Sequence, residues 1–213
     1  MLNVVKGSVS AAAIALAVAT AAVAGSGSAE AVALYTDRAA WQAAVDGYTE
    51  TTSFAGLADY QSVGAVTLAG GTTLTFDASV EKRTVPASWS TWSGGYTGAV
   101  LFRDGDELTA AISPALSAFG FDMEPNQFGT YELTLTLTDG TELSQTVAGL
   151  AGAKFFGWVG EGVASYGMSA EAGAGGFAFG RFVEGTTAVP EPATLALLGA
   201  GLLSVGAMRR RRS

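Results

Sequence analysis

Carboxylates, hydroxyls and aromatic rings are the chemistry open to this 213-residue chain, because it contains neither histidine nor cysteine. A Ser-His-Asp triad, a thiolate nucleophile, a Cys/His zinc or iron–sulfur site and a disulfide framework are thereby excluded. Three places hold residue types that could act. Asp122 and Glu124 stand two apart in Asp122-Met123-Glu124-Pro125-Asn126. On a strand both face one side, at a spacing that roughly suits the ~5–9.5 Å between the two acids of a glycosidase. Asp104-Gly105-Asp106-Glu107 sets three acids in four residues at a turn, the kind of oxygen donor set that Ca²⁺ takes from flexible loops. Neither cluster matches an EF-hand or nonapeptide calcium pattern, so a solvated turn for Asp104, Asp106 and Glu107 and a solvated strand end for Asp122 and Glu124 are the simpler readings. Residues 86–96 place Trp89, Trp92 and Tyr96 among small polar residues. Flat rings of that kind cover pyranose C–H groups while neighbouring hydroxyls pair with the sugar's polar edge. Alternatively the rings fold under the loop and cap the domain, since a loop of this length either binds something or packs on itself.

The elements that must position these residues are mostly strands. One helix is expected near the start, with Thr36 as N-cap, Asp37 in the first turn, Ala40, Trp41, Ala44 and Val45 as its apolar stripe, and Gly47 at its end. Beyond it the apolar period becomes two. Residues 131–138 put Tyr131 and three leucines on one face and Glu132 with threonines on the other, and 141–147 return after Asp139-Gly140. That pattern predicts a hairpin with a type I′ turn. Further strands are expected at 66–68, 72–76, 99–103, 108–112, 118–123, 154–159, 163–170 and 177–183. The consecutive aromatics of Lys154-Phe155-Phe156-Gly157-Trp158 fit a strand covered on both faces. The fold class is therefore mainly β: an antiparallel β-sandwich or jelly-roll-like domain over residues 30–187, with one short N-terminal helix. About 155 residues suffice for a single core.

The two ends differ in kind from this middle. Lys6 is the one charge among the first 29 residues, and an alanine-rich run through Ala24 follows it. This predicts a signal peptide at 1–24, with cleavage as late as residue 31, and hence engagement of the export machinery and signal peptidase. At the other end, Val189, Pro190, Glu191 and Pro192 precede an uncharged stretch, 193–208, and then Arg209, Arg210, Arg211 and Arg212. Sixteen helical residues span about 24 Å, which flanking residues and arginine snorkelling extend toward the ~30 Å of a hydrocarbon core. The arginines stay cytoplasmic by the positive-inside rule, leaving the domain outside. Residues 30–187 hold eighteen acids and six bases, a net charge of −12 that the arginine-rich tail masks in the whole-chain value of −8. A surface of that sign repels nucleic acid and suits neutral glycans, divalent cations or plain solubility.

The Val-Pro-Glu-Pro-Ala-Thr-Leu sequence, the Leu/Gly/Ala helix and the terminal arginines resemble the PEP-CTERM sorting signal of exopolysaccharide-producing Gram-negative bacteria, over residues 189–212. The resemblance implies recognition near Pro190-Glu191-Pro192 by an exosortase, a transpeptidase-like membrane enzyme, with Arg209 to Arg212 as stop-transfer cluster. A plain uncleaved tail anchor is the competing expectation. The middle resembles the central domain of many PEP-CTERM proteins through Tyr35-Thr36-Asp37-Arg38-Ala39-Ala40-Trp41, Phe119-Gly120-Phe121-Asp122, Lys154-Phe155-Phe156-Gly157 and Gly176-Phe177-Ala178-Phe179. That implies a lectin-type β-sandwich. Where an acid commonly follows the last of these segments, this chain has Gly180-Arg181, which removes the carboxylate on which a cation site would rest. The functional expectation is a non-enzymatic exported protein, held in the inner membrane by its tail in transit. It is then processed and displayed at the cell surface or in an exopolysaccharide matrix, without a cofactor unless Ca²⁺ binds. The alternative is a secreted carbohydrate-active enzyme using Asp122 and Glu124.

Overall fold

The computed structural model describes residues 32–187. The signal peptide predicted at 1–24, the Pro-Glu-Pro segment, the helix predicted at 193–208 and the arginine cluster lie outside the described residues. Among the described residues no helix is long and apolar enough to cross a membrane. The elements run β1 (Ala33–Tyr35), α1 (Arg38–Ala43), β2 (Gly47–Thr51), β3 (Ser62–Thr67), β4 (Thr73–Thr84), β5 (Ala99–Arg103), β6 (Glu107–Pro125), β7 (Thr130–Leu137), β8 (Glu142–Ala148), β9 (Lys154–Ala170) and β10 (Phe177–Thr186).

Every pairing is antiparallel, and the long strands β4, β6 and β9 pass through two facing layers. In the first layer β8, β7, the second half of β9, the first half of β6 and the first half of β4 lie side by side, with β3 at the edge. In the second, β1, the first half of β9, the second half of β6, β10 and β5 follow in order, with β2 beside the end of β10 and the second half of β4 beside β5. The stretches expected as separate strands at 108–112 and 118–123 are thus one strand, as are those at 154–159 and 163–170. Their register breaks between Ala111 and Ala118, and such irregularities let a strand bend from one layer to the next.

Burial follows from this crossing. The first half of β6 alternates, with Leu108, Ala110 and Ile112 buried and their neighbours exposed, whereas Ala118 to Pro125 are buried without interruption. The second layer is therefore covered on both faces. Inward, Phe119, Phe121, Met123, Phe156, Trp158, Phe177, Phe179 and Phe182 join Leu133, Leu135, Tyr166 and Met168 of the first layer in the main core. Outward, Trp41 of α1 packs with Ala118, Phe155 and Val183, and a second cluster of Val85, Trp89, Trp92, Val100, Phe102 and Ala178 lies under the loop that follows β4.

Small residues make that outer cover fit. Gly120 of β6 stands opposite Gly157 of β9, and the Phe155 ring lies across the pair. Trp41 meets Phe155 edge-on, at 6.1 Å between centroids, and donates its indole N–H to the Trp158 carbonyl at 2.9 Å. The helix that carries Trp41 is shorter than expected, and Asp37, not Thr36, caps it by accepting from Ala40 N at 2.7 Å. Gly47 does not end it but opens β2. The β7–β8 hairpin forms as expected with a different turn. Only Gly140 in it has positive φ, 85°, and paired bonds run from Gly140 N to Leu137 O and from Leu137 N to Thr141 O. That is a type I turn closed by a glycine bulge rather than type I′, which needs two left-handed residues where Asp139 is not one.

A Cβ on Gly157 would sit 2.7 Å from the Phe155 ring and 3.1 Å from the Phe119 carbonyl. Gly157→Val is expected to cost about 1–3 kcal/mol, a fall of several degrees in Tm. Gly64→Ala, where the added methyl meets nothing, should leave Tm unchanged or slightly higher. Differential scanning calorimetry of the two variants checks the contrast.

Candidate functional site

Alternation on the second half of β6 sends Phe119, Phe121 and Met123 inward and so must send Asp122 and Glu124 outward, beneath α1 and the loop after β4. Both acids are buried, Asp122 at 6% exposure and Glu124 at 0%. The sequence placed them correctly on one face, but they are not at a solvated strand end.

Asp122 sits in a charge network. Its Oδ1 accepts from Arg38 Nη2 at 2.9 Å, and Arg181 Nη1 lies 3.8 Å from its Oδ2. The same Arg38 nitrogen donates to the Arg181 carbonyl at 2.8 Å, and its guanidinium lies 4.7 Å over the Phe155 ring. Arg181 in turn donates from Nε to Glu50 Oε1 at 2.9 Å. Burial pushes the Asp122 carboxyl above its ordinary pKa, against the opposing pull of Arg38.

Glu124 is held differently. Thr91 Oγ1 donates to its Oε1 at 2.8 Å, whereas Oε2 has no aligned partner among the described residues. The backbone N–H groups of residues 151–153 are near enough to favour its charge, but burial outweighs them and Thr91, raising its pKa. Glu124 therefore ties the loop of residues 85–98 to the sheet. Ser93 Oγ adds a bond to the Ala153 carbonyl at 2.7 Å, and Ser88 Oγ accepts from Thr84 N at 2.8 Å.

That loop closes over its own aromatics. Trp89 and Trp92 are 5% and 7% exposed, so the faces expected to stack on sugar are occupied by Phe102, Val100, Ala178 and the Arg83 guanidinium. Capping, the alternative reading of this segment, is what the geometry shows for both tryptophans. The physical reason lies beneath them: the outer face of β5 presents Val100 and Phe102, which have no other cover. Tyr96 is half-buried, with its hydroxyl donating to the Ala99 carbonyl at 2.8 Å, and it stays at the edge of an opening. Asp104 and Asp106 in the β5–β6 connection and Glu107 at the start of β6 have exposed side chains, and no group of three acids that could hold a metal ion occurs among the described residues.

Two clefts are prominent. The larger, about 510 Å³, lies between residues 53–57 and β3 and has no charged side chain in its lining. The smaller, about 400 Å³, is lined by Glu50, Thr52, residues 94–98 and Arg181, and so adjoins the Asp122 network. Volume favours the first, but the side chains able to recognise a polar ligand line the second. Sequence reading missed Glu50, Arg38 and Arg181 as partners; Arg181 alone left a signal, as the base standing where an acid is usual.

The fold thus defines an acidic, antiparallel β-sandwich-like domain, and in the sequence a C-terminal segment follows it. Residues 188–212 of that segment match the family model of the PEP-CTERM protein-sorting motif. The chain therefore carries a PEP-CTERM protein-sorting motif at its C-terminal end, which supports an exported protein targeted to an exosortase. No curated protein matches the chain.

Arg38→Met leaves buried Asp122 with only the Arg181 guanidinium, 3.8 Å from its Oδ2, a change expected to cost up to about 3–5 kcal/mol at neutral pH. A carboxyl whose folded pKa exceeds its unfolded value stabilises the fold below the unfolded pKa and loses that contribution as pH rises through the folded one. Removing Arg38 raises the folded value further, so the loss should shrink as pH falls from about 7 to about 5. Adding Asp122→Asn should recover much of it at pH 7. Urea midpoints of the single and double variants at the two pH values test this, and a pH-independent loss would show that Arg38 acts through packing alone.

Proposed function

We propose that the chain is a non-catalytic cell-envelope or extracellular-matrix protein whose β-domain associates with exopolysaccharide. Its signal peptide delivers it, residues 193–208 hold it in the inner membrane during transit, and exosortase processing near Pro190-Glu191-Pro192 passes it to the surface or the matrix. The observation that carries this reading is the sorting motif at 188–212.

The polysaccharide part is supported by charge and by the cleft. A domain at −12 disfavours polyanions, and the cleft beside Tyr96 offers hydroxyls with a balanced Glu–Arg pair. The non-catalytic part is supported by what the two acids of the glycosidase reading already do. Asp122 is committed to Arg38, and Glu124 lies at 0% exposure under the loop, so neither carboxyl opens on the cleft as an acid–base pair must.

Intact-mass spectrometry of the protein from its native host tests the processing. A C-terminus near residue 192 is expected, and one still at Ser213 would refute it. Glu191→Ala in the same host should retain the tail and leave the protein in the membrane fraction. Incubation with glycans should release no reducing ends; release abolished by Asp122→Asn or Glu124→Gln would overturn the non-catalytic reading.

A further inference from the structure

The residue Arg181 combines three features that the fold alone does not require. It is a non-glycine residue in the left-handed region, with φ of 53°. It sits where the register of β10 on β6 shifts, between Gly180 and Val183. An extra residue at such a bulge turns its side chain out of the ladder, and bulges of this kind gather beside functional sites. Finally, its partner Glu50 gives it little stability in return, because the two side chains are 34% and 30% exposed, and pairs that open to water are weak. Glycine would satisfy the backbone here without strain. Asp122, 3.8 Å from the Arg181 guanidinium, already has Arg38 as its closer cation, so strain retained for a half-buried side chain that also opens on a cleft points to a role in binding.

What it faces is the 400 Å³ cleft, a volume within the range of small-ligand sites. Glu50 and Arg181 stand side by side at 2.9 Å, an acceptor next to a donor with no net charge between them. Such a pair matches a hydroxyl that donates to the carboxylate and a neighbouring hydroxyl that accepts from the guanidinium, the arrangement of a vicinal diol. Thr52 and Thr97 add exposed hydroxyls, and the Tyr96 ring, 5.9 Å from the Arg181 guanidinium, gives a partly apolar wall for ring C–H groups. An anionic sugar would gain from Arg181 but meet Glu50, buried Asp122 and the −12 of the domain.

We propose that this cleft, with Glu50 and Arg181 as its hydrogen-bonding pair and Tyr96 as its wall, binds a neutral hexose unit of a polysaccharide. The site rests on the polysaccharide reading above and deepens it by naming the position and the sugar class.

The test uses the full-length chain in detergent, titrated calorimetrically with pentasaccharides of glucose, mannose and galactose and with an oligouronate of equal length. A parallel pull-down uses the host's own polysaccharide. Saturable binding to a neutral oligosaccharide or to the host polysaccharide is expected, with none to the oligouronate. Arg181→Gly, which relieves the backbone strain but removes the second cation near Asp122, should still fold by circular dichroism and weaken binding at least tenfold. Thr97→Trp, which fills the cleft from its rim, should do the same to binding. Wild-type affinity in both variants, or equal binding of the oligouronate, overturns the site. If the variants still capture host polysaccharide as the wild type does, the site falls and the polysaccharide reading stands. If the wild type binds neither probe, both fall.

Discussion

Covering the outer face of the second layer is the constraint on which most of this molecule depends. A two-layer sandwich normally leaves each sheet one wet face, as the first half of β6 does here with its alternating burial. The second half of the same strand carries Ala118, Gly120, Asp122 and Glu124 on the face turned away from the core, and β5 adds Val100 and Phe102. Those groups need a third layer, and six helical residues and one loop supply it. Trp41, Trp89 and Trp92 are the large side chains in that layer, and each is placed where a small or flat residue below leaves room.

Buried carboxylates fasten this cover. Asp122 holds α1 through Arg38, and Glu124 holds the loop through Thr91. Glu184, which alternation turns to the other face of β10, accepts from Gly70 N at 2.7 Å and Thr72 N at 3.3 Å and so pins the β3–β4 turn. All three acids are under 10% exposed, and each bonds to a segment that is not itself part of the sheet beneath it. A buried ion pair adds little net stability compared with apolar packing, but losing one partner is costly, so such contacts select one placement of the cover over others. In a chain without cysteine, directional bonds of this kind do the positioning that disulfides perform in many exported domains.

What was legible in the sequence follows the same division. Strand β5 was read at its observed bounds, and the β7–β8 hairpin was visible because one-sided burial leaves a period of two. Where a strand crosses layers the period breaks, so β6 and β9 each read as two. The end of β4 and all of β2 were missed because their burial does not alternate cleanly. The pairing of Arg38 with Asp122 spans 84 residues and that of Arg181 with Glu50 spans 131, distances at which no local pattern exists. The tryptophans posed a different difficulty. Their composition suits a sugar platform and a cap equally well, and only the uncovered outer face of β5 decides between the two.

The absence of histidine gives the acid pins a further consequence. With no imidazole and no thiol, no side chain of ordinary pKa changes charge between about pH 5 and 8, so nothing conventional tunes this fold across the range an exported protein meets. Burial holds the carboxyls of Asp122 and Glu124 above the ordinary carboxylate pKa. Protonating them relieves a desolvation cost while weakening the charge-assisted bonds to Arg38 and Thr91. Protonation therefore acts in two directions at once: it lowers the cost of burying the acids and loosens the hold on the helix and the loop. Through Thr91, Glu124 is bonded to the same loop, residues 85–98, that forms one wall of the cleft, so the state of this buried acid and the placement of that wall are linked.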